Sequence, residues 1–212
     1  MLCRPPPDSK ASRWGWRGLA AVGSLLLAAQ ASADAPDLSW IDRQAVAAGM
    51  VALQTERGER PQIVKIKVAI DIAAAPRAIW DVLTACEVAP EYVPNVVSCR
   101  RLEVLDDGRA ELFVQVVKPA FFIPAFEHVF RMDYTPYTRI DVHRESGPIA
   151  LMEGTWWLLP EGDGGHTLLV YDLALDPGMP IPRFFVRATL KRDLPKVLQA
   201  VREARSWPAV RA

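Results

Sequence analysis

One run near the C-terminus constrains this chain most: Ile181 to Ser206, reading IPRFFVRATLKRDLPKVLQAVREARS. Apolar residues fall at Ile181, Phe184, Phe185 and Ala188, then at Leu190, Leu194, Val197, Leu198 and Val201. Spacings of three and four draw one apolar stripe down a helix. Arg183, Arg187, Lys191, Arg192, Lys196 and Arg202 take the other side. Pro182 suits the first turn, where no N–H is needed. Pro195 either kinks the helix or follows a break at which Asp193 caps a second segment. The stretches before this helix read mostly as strands, so the stripe needs a sheet to cover it. Such a helix either packs on the sheet or also closes a ligand cavity.

With 212 residues, half of them hydrophobic, one sizeable core and a single domain are expected. Net charge is zero and no basic block stands out, so nothing points to nucleic acid. Arg4, Lys10, Arg13 and Arg17 precede an apolar run, Gly18 to Ala29, and then the small-residue triplet Ala31-Ser32-Ala33. That is the order of a secretory signal, cleaved near Ala33 or Ala35, with an uncleaved anchor as the alternative. The run is short for a membrane span, which needs about 20 residues. Cleavage would remove four Lys/Arg and one Asp, leaving 21 basic against 24 acidic residues. The expected division is 1–33 signal peptide, 34–61 N-terminal extension and 62–206 main domain, with a periplasmic or secreted destination. Cys86 and Cys99 then remain, flanking one Pro-bounded turn. An oxidising compartment favours a bridge between them over two separate thiols.

Asp37 to Ala48 reads as a short helix capped by Ser39 and stopped by Gly49. Two strands follow, Met50 to Glu56 and Gln62 to Ile72; in the second, Ile66, Val68, Ile70 and Ile72 alternate with Lys65, Lys67, Ala69 and Asp71. Pro76 opens a helix carrying Ile79, Trp80, Val82 and Leu83. A short turn through Glu87 to Tyr92 ends at Pro94. About six consecutive antiparallel strands then follow, the first hairpin turning at Asp106-Asp107-Gly108. The class is α+β: a curved antiparallel sheet wrapped on the long C-terminal helix, with a hollow between them.

The run Ile72-Ala-Ala-Ala-Pro76-Arg-Ala-Ile79-Trp80-Asp-Val-Leu83-Thr, with Tyr92-Val-Pro94-Asn95, resembles the opening signature of the START-like, or SRPBCC, superfamily. Leu151-Met-Glu153-Gly154-Thr-Trp156-x-Leu158-x-Pro160, with Thr167-x-Leu169-x-Tyr171, resembles its penultimate hairpin. The resemblance covers about residues 50–206 and is strongest to the branch of polyketide cyclases and coenzyme-Q-binding START-type proteins. It implies a helix-grip fold with a cavity under the C-terminal helix that holds a lipid, sterol, quinone or polyketide. The fold hosts carriers and enzymes alike. The leading segment and the Cys86/Cys99 pair lie outside the common signature and point to an exported subgroup.

No H-E-x-x-H, paired C-x-x-C, G-x-S-x-G or phosphate-binding glycine loop occurs. His128, His143 and His166 have no ligand-like spacing, and Glu127 and His128, adjacent on a strand, face opposite sides. Catalytic residues, cofactor and metal are therefore not expected. Strand alternation places Met152, Gly154, Trp156 and Leu158 on one inward face, with Leu169 and Tyr171 beside them and Phe130, Met132 and Tyr134 on an earlier strand. Gly154 would leave a gap widening the cavity, and the phenols of Tyr134 and Tyr171 would seek a partner. Trp80, Phe184 and Phe185 complete the expected ligand contacts.

Between two strands runs the apolar connection Lys118-Pro119-Ala-Phe121-Phe122-Ile123-Pro124-Ala-Phe126. It either folds back on the core, closes the cavity as a lid, or rests on a membrane. The expected activity is an exported, monomeric carrier of a hydrophobic small molecule or lipid with transient membrane contact. The alternatives are a polyketide cyclase/dehydratase-like enzyme and a membrane-associated assembly factor.

Overall fold

The computed structural model describes residues 35–204; the expected signal peptide, 1–33, lies outside them. The elements run α1 (Arg43–Ala47), β1 (Ala52–Arg57), β2 (Val64–Ile72), α2 (Pro76–Thr84), a 3-10 turn (Cys86–Val88) and α3 (Ala89–Tyr92). Six strands follow: β3 (Val96–Leu105), β4 (Ala110–Val117), β5 (Phe126–Thr135), β6 (Arg139–Ser146), β7 (Leu151–Glu161) and β8 (His166–Asp176). The last element is α4 (Arg183–Ala204).

One eight-stranded antiparallel sheet carries the order β1-β2-β8-β7-β6-β5-β4-β3 and curves around α4. Strands β3 to β8 form a meander, and the β1–β2 hairpin joins it through β2 against β8, with Val68 opposite Tyr171. The meander follows from turns built for it. Asp106, Asp107 and Gly108 all take positive φ between β3 and β4, which Asp and Gly tolerate best.

The inner face of β2 obeys the alternation: Ile66, Val68, Ile70 and Ile72 are fully buried, packed with Ile79, Val82 and Leu83 of α2 and Leu194, Val197, Leu198 and Val201 of α4. The other face is covered as well, with Ala69, Leu168 and Val170 buried. The segment around α1 covers them, with Ile41 and Val46 at the centre of a second core and Leu38, Trp40 and Trp157 at its margin. α1 is shorter than its sequence pattern. Its cap is Asp42, whose Oδ1 accepts from the N–H groups of Gln44 and Ala45, and not Ser39, whose own N–H is held by Asp37.

α4 runs unbroken through Pro195, so Asp193 caps nothing. The stripe needs one correction. Phe184 is 76% exposed, because the face that meets the sheet carries Val186, Leu194, Val197, Leu198 and Val201. At 100° per residue, Phe184 falls instead with Arg187, Ala188 and Lys191. Cys86 and Cys99 are bridged, their Cα atoms 5.4 Å apart, which ties the 3-10 turn to β3.

Candidate functional site

The N-terminal half of α4 does not lie flat on the sheet. Between it and the ends of β4, β5 and β8 is a cavity of about 220 Å³. Phe185, Val186, Leu190, Leu194 and Val197 form its helical wall; Val117, Phe126, Ile149 and Leu175 form the sheet side. Its rim is made of proline-bearing connections: Val93-Pro94-Asn95 after α3, Pro119 and Ile123 between β4 and β5, and Pro177, Met179 and Ile181 before α4.

Three lining side chains are polar: Asn95, Thr189 and Asp193. Thr189 and Asp193 are four apart on α4 and so share a face. The Asp193 carboxylate is buried and accepts from Asn95 Nδ2 at 3.1 Å and from Arg192 Nε and Nη2 at 2.7 and 2.8 Å. The Arg192 hydrogen bonds hold its pKa below the usual carboxylate range against the desolvation that would raise it.

The β4–β5 connection is divided. Ile123 is buried and Phe126 is half-buried, both against the cavity, while Phe121 and Phe122 are 93% and 58% exposed. Phe122 meets Phe185 edge-on at 5.6 Å, which links the connection to the start of α4.

Of the residues expected to touch a ligand, the structure brings only Phe185 to this cavity; Ile123 and Phe126, expected in a lid or membrane-resting connection, line it as well. Phe184 points outward beside Arg183, Arg187 and Lys191. The others lie deeper in the grip and fill it themselves. Trp156 and Tyr171 stack at 3.9 Å, and the Tyr171 hydroxyl occupies the space beside Gly154, so that glycine widens no gap. Leu158 and Leu169 are fully buried, Met152 packs against the same core, and Phe130 stacks on Phe113 at 5.6 Å. Trp80 meets Tyr134 edge-on at 5.4 Å. The Tyr134 hydroxyl donates to Glu111 Oε2 at 2.7 Å, with Met132 alongside, and Glu111 Oε1 accepts from Arg101. Burial, then the Glu111 carboxylate, pushes the Tyr134 phenol up, and burial does the same for Tyr171. Both phenols therefore stay protonated donors at neutral pH.

The sequence reading missed Val93, Asn95, Thr189 and Asp193 as cavity residues. Asp193 was read only as a candidate cap at a break before Pro195, and the signal available was its i, i+4 partner Thr189.

Residues 72–202 match the family model described as polyketide cyclase / dehydrase and lipid transport. The chain belongs to this family. A search of curated proteins gives no match. Among solved structures, the fold is similar to a STAR-related lipid transfer protein fragment from Xanthomonas axonopodis, with TM-score 0.62 and 18% identity over 84% of this chain and 97% of that one. It is also similar to human STARD10, with TM-score 0.64 and 15% identity over 75% of this chain and 71% of that one. The Zhui aromatase/cyclase from Streptomyces aligns with TM-score 0.57 and 20% identity, over 69% of this chain and 98% of that one. At these identities the likeness is one of fold: a START-like helix grip. The family's description spans hydrophobic-ligand handling by transport and by cyclisation.

Proposed function

We propose that the protein is an exported carrier of a hydrophobic small molecule, taken up in the cavity under the N-terminal half of α4. The observation that supports this best is the cavity itself, whose walls are apolar apart from Asn95, Thr189 and Asp193. Affinity in such a site comes from apolar area withdrawn from water, at about 25 cal/mol per Å² before ordering costs. Export rests on the basic, apolar and small-residue order of residues 1–33, and a Cys86–Cys99 bridge fits an oxidising compartment.

Beside the cavity, the exposed Phe122 meets Phe185 at the start of α4, with Phe121 next to it. The exposed Phe184 stands with Arg183, Arg187 and Lys191. Together they offer a surface suited to brief contact with anionic lipid. A carrier needs such a place to collect an insoluble cargo.

The test is native mass spectrometry of the mature protein purified from its own compartment, beside a Leu190→Trp variant that fills the cavity. Co-purified apolar ligand on the first and not on the second supports the reading. A ligand-free protein that takes up no apolar probe overturns it.

One observation favours an enzyme instead: the hydrogen-bonded Tyr134–Glu111 pair near Trp80, a phenol and a carboxylate able to exchange a proton. Neither residue lines the cavity, and the phenol is already engaged with Glu111. The carrier reading stands ahead for that reason.

A further inference from the structure

The cavity holds a built polar subsite, and its chemistry narrows the cargo. Asp193 is only 9% exposed, although Lys191, Arg192 and Lys196 around it on the same helix are exposed. An ionised carboxylate offers about four lone-pair positions. Three are taken, one on Oδ1 by Arg192 Nε and two on Oδ2 by Arg192 Nη2 and Asn95 Nδ2. Oδ1 keeps acceptor capacity, and Asp193 lines the cavity. Asn95 adds a side-chain carbonyl to which no donor is bound among the described residues, and the Thr189 hydroxyl lies one helical turn before Asp193. The wall is therefore rich in acceptors and held in place: Asn95 is further fixed by its backbone carbonyl, which accepts from the N–H of Lys118 at 2.8 Å.

We propose that the cavity selects a neutral amphiphile whose polar end is a hydroxyl, donated to Asp193 or Asn95, and rejects fatty carboxylates. This rests on the carrier reading above. A carboxylate headgroup would bring a second negative charge against Asp193 in an apolar hollow, where both lose hydration. An ammonium headgroup fares little better, because Arg192 already balances Asp193 and the added cation would be left uncompensated in an apolar site. Arg192 itself is 59% exposed and is not among the lining residues, so it offers no anion site within the cavity. A hydroxyl meets the free acceptors without importing charge. The hollow of about 220 Å³ has room for about seven groups the size of a water molecule. It thus holds a medium chain or one end of a longer molecule.

The experiment compares 1-octanol, octanoate, octylamine and n-octane as competitors for an uncharged apolar fluorophore at pH 7.5. Wild type is set beside the isosteric variants Asp193→Asn and Thr189→Val and the filled variant Leu190→Trp. Octanol is expected to compete at least tenfold better than octanoate and octylamine, and clearly better than octane. Asp193→Asn should shrink the octanol-to-octanoate ratio to within about threefold, since the repelling charge is gone while the shape stays. Thr189→Val, which leaves every Asp193 contact in place, keeps the selectivity measurable if Asp193→Asn folds poorly; it should preserve the rejection of octanoate. Octanoate binding as well as octanol in wild type, octane matching octanol, or a ratio unchanged in Asp193→Asn each overturn the subsite while leaving the carrier intact. If no competitor binds, or if Leu190→Trp binds octanol as wild type does, the carrier site itself fails.

Discussion

The Tyr171 hydroxyl lies where a side chain on Gly154 would have to go. A Cβ built on Gly154 falls 2.6 Å from that oxygen and 2.9 Å from the nearest ring carbon. Trp156 stacks on the ring at 3.9 Å and 11°, which blocks its retreat on that side. Adjacent strands thus share one volume: β7 gives up a side chain so that β8 can place a phenol in the middle of the grip.

Gly154→Ala is therefore expected to destabilise the fold by about 1–3 kcal/mol through overpacking. Adding Tyr171→Phe removes the closest atom and leaves the ring carbons, so the double variant should recover part of the loss. Urea midpoints with unchanged slopes read both numbers. Full tolerance of Gly154→Ala would show that the Trp156–Tyr171 stack yields.

The Cys86–Cys99 bridge encloses the turn that delivers Val93, Pro94 and Asn95 to the cavity rim. Closing a loop with a sequence separation of 13 stabilises the fold by about 3 kcal/mol on the chain-entropy estimate. Cys86→Ser/Cys99→Ser should lower the urea midpoint accordingly and weaken octanol binding, since Asn95 loses its anchor on one side. Unchanged stability under thiol reductant would mean that local packing alone holds the turn.

Much of the architecture was legible because it follows from period-two alternation. Ile66, Val68, Ile70 and Ile72 specified the inner face of β2, and alternation put Trp156 on the inward face of β7, where it is found. What alternation cannot show is how deep each inner residue sits. Trp156, Tyr171, Phe130 and Leu158 share the concave face with the cavity, yet they pack on one another, and the empty volume lies where α4 and three connections diverge. Connections have no period to read. The burial of Ala69 was hidden for a similar reason: its cover, Ile41 and Val46, comes from a short segment whose apolar residues form no repeating stripe. Tyr134 needed a partner, but naming Glu111 required the β4–β5 register, which sets Glu111 opposite Met132.

His128 gives the fold a pH dependence with a definite sign. It is 3% exposed, its Nε2 pairs with Gln115 Oε1 at 3.1 Å, and its Nδ1 has no hydrogen-bond partner among the described residues. Phe126 and Phe130 lie on either side of it along β5. Burial pushes its pKa down from 6.5 to about 4. The unfolded chain takes up the proton below 6.5, whereas the folded chain resists until about 4. Stability contributed above 6.5 is thus lost as pH falls through that window, by about 3 kcal/mol in all. Urea midpoints between pH 7.5 and 4.5 should fall in wild type and flatten in His128→Gln. Equal slopes in both proteins would place the titrating group elsewhere.

The β4–β5 connection carries two separable jobs, and its residues can be changed one set at a time. Phe121 and Phe122 are exposed, so replacing both with Ser removes little from the core. Each phenylalanine fully transferred from water contributes about 2 kcal/mol, so partial insertion of two gives weak, reversible attachment. The double variant should keep the wild-type urea midpoint and lose at least tenfold in binding to vesicles containing anionic lipid. Its octanol affinity in free solution should stay as it was, because neither residue lines the cavity. Ile123 is different: it is buried and faces the cavity. Ile123→Ser should lower stability by about 2–4 kcal/mol, as a buried aliphatic truncation does, and weaken octanol binding at the same time. Vesicle binding of the folded fraction should persist. If the Phe121/Phe122 variant unfolds, the two rings support the core and the membrane surface loses its basis. If it folds and binds vesicles unchanged, Phe184 with Arg183, Arg187 and Lys191 must supply the contact, and Phe184→Ser becomes the deciding variant.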